Sequence, residues 1–111
     1  MNNPKYTKYK DKAGEYRFNL KAENGEIILH SEGYVSSAGC DNGIASVKKN
    51  SPHDDKYDRR DSSNGQYYFV LKAGNGEIIG TSEMYTTTAA RENGIEAVKR
   101  VGPNSPVDDI S

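Results

Sequence analysis

Apolar and polar residues alternate over two short stretches of the chain. Tyr16, Phe18 and Leu20 are separated by Arg17 and Asn19, and Tyr67, Phe69 and Leu71 repeat the pattern. A period of two predicts a strand with one face buried and one solvated. Asn24-Gly25 and Asn75-Gly76 follow, and both residues of such a pair tolerate the positive φ of a tight hairpin. The segments 26–30 and 77–81 are the expected return strands. Upstream, 5–10 and 56–61 are expected strands, with Gly14 and Gly65 marking the turns after them. Each half of the chain thus opens as a three-stranded antiparallel meander.

The period then changes. Gly39, Gly43, Ile44 and Val47 fall on one face of a predicted helix, and Ala90, Gly94, Ile95, Val98 and Val101 on one face of another. Ser36-Ser37 and Thr86-Thr87-Thr88 supply N-cap candidates. A glycine inside a helix costs about 1 kcal/mol. Gly43 and Gly94 therefore need a reason: close packing of helix on sheet, or room for a ligand. Asn50-Ser51-Pro52 and Gly102-Pro103 end the helices. Residues 53–61 both close the first unit and open the second, and 104–110 are the closing strand of the second.

The two halves are copies. Shifted by 51 residues, 5–48 and 56–99 agree at 22 of 44 positions without a gap. A unit of about 50 residues is small for an independent core, so the copies are expected to share one. The predicted organisation is a disordered 1–4, repeat 1 at 5–55 and repeat 2 at 56–111, in one compact domain. The fold class is α+β: two tandem β(3)-α-β repeats in one antiparallel sheet, two helices on one face, and closing strands exchanged between repeats. The expected core is Tyr16, Phe18, Leu20, Ile44 and Val47 with Tyr67, Phe69, Leu71, Ile95 and Val98. One residue of Ile27/Ile28 and one of Ile78/Ile79 should join it, and the other two would leave an apolar patch on the open face.

The repeated signature is Gly-x-Tyr-x-Phe-x-Leu-Lys-Ala-x-Asn-Gly-Glu-Ile-Ile, then Ser-Glu-x-Tyr, then Asn-Gly-Ile-x-x-Val-Lys, with x wherever residues differ between copies. It resembles the YegP-like family of small bacterial tandem-repeat proteins of unknown function, over about residues 5–110. The resemblance implies two β(3)-α-β units in a single sheet with exchanged C-terminal strands. It implies no activity, cofactor or site.

Composition narrows the function classes. The chain has 111 residues, 33% of them hydrophobic, and a net charge of −1. Near-neutrality argues against a general polyanion binder but allows local patches. Cys40 is the single cysteine, so neither an internal disulfide nor a cysteine-based zinc site is expected. No apolar run suits a membrane span, and the first residues lack a signal-peptide pattern. A cytoplasmic location follows as the expectation.

Candidate chemistry is sparse. Cys40, whose counterpart is Arg91, reads as a boundary residue near the rim rather than a reactive thiol. His30 and His53 match Thr81 and Asn104, so no histidine site is duplicated, and no metal or cofactor is expected. Glu32 and Glu83, in the repeated Ser-Glu-x-Tyr, are a symmetry-related carboxylate pair with acid–base potential, set against a structural role near a helix start. No catalytic residue is assigned, and enzyme status leans to no. No phosphate-binding glycine loop is present. Residues 1–21 carry Lys5, Lys8, Lys10, Lys12, Arg17 and Lys21 against Asp11 and Glu15. The candidate binding face is the sheet surface away from the helices, with Lys8, Arg17, Asn19, Lys21, Tyr68 and Lys72. Cations and rings on an open sheet suit single-stranded nucleic acid, although polar residues there are also what solvation alone demands. The functional expectation is a non-enzymatic binding or protein-interaction module with an unknown protein partner. The alternatives are a nucleic-acid binder on this face and an enzyme using the carboxylate pair. A monomer is expected, with a weak homodimer through an exposed edge strand as the alternative.

Overall fold

The computed structural model describes residues 1–111. Repeat 1 contributes β1 (Lys5–Lys10), β2 (Tyr16–Lys21), β3 (Ile27–His30) and α1 (Ser37–Asn50). Repeat 2 contributes β4 (Tyr57–Asp61), β5 (Tyr67–Lys72), β6 (Ile78–Thr81), α2 (Thr88–Val101) and β7 (Val107–Asp109). The seven strands form one sheet in the order β4-β5-β6-β3-β2-β1-β7. Both helices lie on one face and lean across the midline, α1 reaching β6 and α2 reaching β3. The α+β class is therefore as the sequence predicts.

The sheet is mixed rather than wholly antiparallel. β7 runs parallel to β1, pairing Tyr6 with Val107 and Lys8 with Asp109. The strand exchange is also one-way. Both repeats close on the same sequence, Asn-Ser-Pro-x-Asp-Asp, at 50–55 and 104–109. In repeat 2 it becomes β7. In repeat 1 it leads directly into β4, and the chain is too short to turn back and lie beside it. Asp54–Lys56 instead makes a single 3-10 turn, and the Tyr57 N–H donates to the Asp54 carbonyl. That bond replaces the one Tyr6 N–H makes to the Pro106 carbonyl, 2.8 Å. The carboxylates follow the same substitution. Asp108 and Asp109 lie 2.8 and 3.7 Å from Lys5 and Lys8, while Asp55 and Asp54 lie 3.9 and 3.1 Å from Lys56 and Arg59.

Reciprocal exchange survives at the helix ends. The Tyr6 hydroxyl of repeat 1 donates to the Gly102 carbonyl at the end of α2, 2.7 Å. The Tyr57 hydroxyl of repeat 2 donates to the Ser51 carbonyl at the end of α1, 2.7 Å. Each buried phenol satisfies one of the carbonyls that a helix C-terminus leaves unpaired, worth about 1 kcal/mol apiece. Ser36 and Thr87 are the N-caps, accepting from Gly39 and Ala90 N–H at 2.9 and 3.0 Å.

The hairpin turns differ from the expected two-residue form. Only glycines take positive φ, Gly25 at 83° and Gly76 at 85°. Asn24 and Asn75 keep negative φ and use their side chains to accept the Glu26 and Glu77 N–H, each 3.0 Å. A β-bulge follows each turn: Leu20 pairs with Leu29 but Lys21 with Ile27, and Leu71 with Gly80 but Lys72 with Ile78. The bulged residues Ile28 and Ile79 turn into the core, whereas Ile27 and Ile78 stay exposed. The bulge thus decides which isoleucine is buried.

The core holds Phe18, Leu20, Leu29, Ile44 and Val47 with Phe69, Leu71, Ile95 and Val98. Tyr16 and Tyr67 are only partly buried at its edge, and the buried tyrosines are Tyr6, fully covered, and Tyr57, nearly so. Cys40 is not at the rim. It is completely buried in this core, and burial pushes its thiol pKa up. That is the opposite of what a reactive thiol requires.

Candidate functional site: the open sheet face

Strand alternation sends every second side chain to the face without helices. The register places a single row of residues across that face: Asp108, Thr7, Asn19, His30, Thr81, Val70 and Asp58, from β7 to β4. Thr7 and Val70 are almost fully covered although they lie opposite the core. The Thr7 Oγ1 and Asn19 Oδ1 atoms, on paired positions of this row, have no hydrogen-bond partner.

Tyrosine–arginine pairs stand at two opposite corners. Tyr9 faces Arg17 across β1 and β2, and Arg60 faces Tyr68 across β4 and β5. The residue types are transposed between repeats: Tyr9 corresponds to Arg60, and Arg17 to Tyr68. Both pairs therefore present a ring beside a guanidinium. Ile27 and Ile78 flank the face, beside Lys21 and Lys72.

Most of the cations here are neutralised. Arg17 Nε bonds Asp11 at 2.6 Å, Lys5 holds Asp108, and Asp58 accepts from Arg60 and lies 3.5 Å from Lys72. The Arg17 guanidinium, with two turn N–H groups, holds the Asp11 carboxyl below its ordinary pKa, and Arg60 does the same for Asp58. The face is thus polar and ring-bearing, with only a modest excess of positive charge.

Of the predicted face residues, Arg17, Asn19, Lys21, Tyr68 and Lys72 lie on it. Lys8 does not. It shares the alternation of Tyr6 and points to the helix layer, where it is 2% exposed and bonds Ser37 and Asp41 of α1 at 2.6 and 2.8 Å. The bond to Asp41 raises its pKa. Tyr9 and Arg60 were not among the predicted residues, though transposition of Tyr and Arg between the repeats signals them.

The carboxylate pair is not assembled. His30 and Thr81 meet at the pseudo-twofold axis, and Glu32 and Glu83 leave it in opposite directions. Two residues each way at the strand rise separates them by roughly 13 Å. The Ser-Glu-x-Tyr motif has a structural use instead. Ser31 Oγ accepts the Phe18 N–H at 2.9 Å and donates to the Glu32 carbonyl at 2.8 Å, and Ser82 repeats both bonds with Phe69 and Glu83. His30 is on the open face, and His53 begins the turn before β4. No group of side chains is arranged to hold a metal ion. No helix is long and apolar enough to cross a membrane.

The comparisons with known proteins agree with this fold. Residues 11–58 and 62–109 each match a domain of unknown function, DUF1508. The chain is 51% identical over 102 residues to the UPF0339 protein in ptx operon 5'region of Stutzerimonas stutzeri, covering 92% of both chains. The solution NMR structure of yegP from E. coli, a protein of unknown function, superposes with a TM-score of 0.92 at 44% identity. That match covers 99% of this chain and 95% of that one. UPF0339 protein SO3888 from Shewanella oneidensis gives 0.91 at 45%, covering 96% and 90%. This chain, with its two matched repeats and its half-identical relatives, belongs to the DUF1508 family of UPF0339 proteins.

Proposed function

We propose that the chain is a non-enzymatic protein-interaction module whose contact surface is the open sheet face. The supporting observation is the pair of Tyr–Arg corners, Tyr9–Arg17 and Arg60–Tyr68. Tyrosine and arginine are the residues that concentrate binding energy at protein interfaces. The internal ion pairs argue in the same direction. Arg17, Lys5, Arg60 and Lys72 already have carboxylate neighbours, so a polyanion gains little from them and a mixed polar surface gains more. The partner is a protein presenting acceptors and apolar groups to the rings and to Ile27 and Ile78.

Single-stranded nucleic acid is the second reading, favoured by the same ring–guanidinium pairs, which also suit base stacking. A tagged pull-down with and without nuclease separates the two, run for the wild type and for Tyr9→Ser/Tyr68→Ser. A partner that survives nuclease and is lost from the double variant supports the protein reading. A partner removed by nuclease, with affinity falling steeply as salt rises, supports the second. Equal recovery by wild type and variant contradicts both.

A further inference from the structure

β3 and β6 are joined by one bridge, His30 to Thr81, and part on either side of it. On one side the gap is a cleft between Gly25–Ile28 and Glu83–Tyr85, which continues over Tyr85 to Asn93 and Gly94 on α2. Its two adjoining hollows, of about 290 and 600 Å³, share Glu26, Ile28 and Tyr85. Ile27, Ile28 and Met84 give it an apolar floor, and Glu26 and Glu83 stand on its walls. Neither carboxylate has an ion-pair partner. The one arginine nearby, Arg100, is bound by Glu23 through two 2.9 Å bonds. Glu26, Glu83 and the Tyr85 side chain line the same hollow, and burial, then Glu83 and Glu26, raise the Tyr85 hydroxyl pKa.

Most of the residues building this cleft are ones the two repeats keep in common. Asn24-Gly25-Glu26-Ile27-Ile28 comes from repeat 1, and Glu83, Tyr85, Asn93 and Gly94 from repeat 2, each identical in the other copy. The Tyr34 hydroxyl pKa is likewise raised, by burial and then by Glu32, Cys40 and Glu77. There, however, Met84 is replaced by Gly33, and the Glu15 side chain packs over that glycine, its Cδ 2.9 Å from a would-be β-carbon. At the equivalent place the Glu15 side chain thus occupies the position of Met84, and the open cleft is the one at Tyr85.

We propose that the open cleft binds a free aliphatic polyamine. Its methylenes lie along Ile27, Ile28 and Met84, and its ammonium groups meet Glu26, Glu83 and the Tyr85 ring. Unpaired carboxylates beside an apolar floor suit a cation carried on a hydrocarbon chain, and an aromatic ring adds cation–π attraction. A bare divalent ion suits the site poorly, since it asks for a shell of oxygens.

The test is a titration of the ¹⁵N-labelled chain with spermidine at about 0.15 M salt, where surface charge is largely screened. The expected result is a saturable one-to-one change confined to Gly25–Ile28, Glu83–Tyr85, Asn93 and Gly94. Glu26→Gln/Glu83→Gln should weaken it by about tenfold or more, and Met84→Gly should weaken it with no change of charge; both variants are checked for an unchanged spectrum elsewhere. A neutral diol of matching length should give no response. Non-saturating shifts that also involve Asp54, Asp55, Asp108 and Asp109, or an unchanged response in the carboxamide variant, would overturn the assignment. So would a tighter response to a lysine-bearing peptide.

Discussion

The hydroxyl oxygen of Tyr34 lies 2.5 Å from the position a β-carbon on Gly43 would occupy, and its Cζ lies 2.8 Å from it. Tyr85 stands against Gly94 in the same way, its Cζ also at 2.8 Å. These rings stack on Phe18 and Phe69, with centroids 6.5 and 6.4 Å apart. The helical glycines are therefore notches for the tyrosines that follow β3 and β6. Gly43→Ala and Gly94→Ala should each destabilise by about 1–3 kcal/mol, as overpacking does, even though alanine favours the helix by about 1 kcal/mol. Urea unfolding measures this. Tyr85→Phe combined with Gly94→Ala should recover part of the loss, because it removes the nearest atom.

Leu29 and Gly80 occupy equivalent positions on either side of the pseudo-twofold axis. A β-carbon on Gly80 would meet Leu29 Cγ at 2.6 Å. One leucine thus fills the space of two. Leu29→Ala should cost about 2–5 kcal/mol by leaving a cavity, and Gly80→Leu alone should also destabilise. The exchange Leu29→Gly/Gly80→Leu should recover most of the stability lost in Leu29→Gly, as read by denaturant midpoints.

β7 covers the outer edge of β1, and its Asp109 lies 3.7 Å from the buried Lys8 ammonium. Ending the chain after Pro103 should lower stability and leave an unpaired edge, which invites pairing between chains. Sedimentation should show concentration-dependent association of the shortened chain. The full-length chain should show none through this edge.

Arg100 holds the Glu23 carboxyl down to a pKa of about 2. A depressed carboxylate contributes stability that is complete above its unfolded pKa, near 4.5, and is lost as pH falls through about 2. The pair is solvent-exposed, so its contribution is small. The carboxyl ¹³C shift of Glu23 should titrate near pH 2, and in Arg100→Gln it should return to the ordinary glutamate range.

The repeat, the alternation in β2 and β5, the caps at Ser36 and Thr87 and the α+β class were all legible in the sequence. Their signals are local: period, turn residues and a 51-residue offset. Lys8 shares the strand phase of the buried Tyr6, but a charged side chain facing the helix layer is stable there only because Asp41 of α1 accepts its hydrogen bond, a partner distant in sequence. The burial of Cys40 was hidden because its counterpart is Arg91, whose side chain reaches out from the same helix position over the Tyr67 ring. The one-way strand exchange depends on chain connectivity: Asn-Ser-Pro-x-Asp-Asp is free to become a strand only where no strand follows it. Of the candidate face, strand phase predicts five of the six residues. The cleft at Tyr85 was not legible, since it arises from strands that part at a single bridge and from Met84 standing where the other repeat has Gly33.

The most direct test of the open-face account is site-specific photo-crosslinking in the cells that make the protein. A photoreactive residue is placed in turn at Tyr9 and Tyr68 on the open face, and at Ala45 and Glu96 on the exposed sides of α1 and α2. Crosslinks to a partner protein are expected from the two open-face positions and none from the helices. Crosslinks from the helix positions alone would contradict the open-face reading.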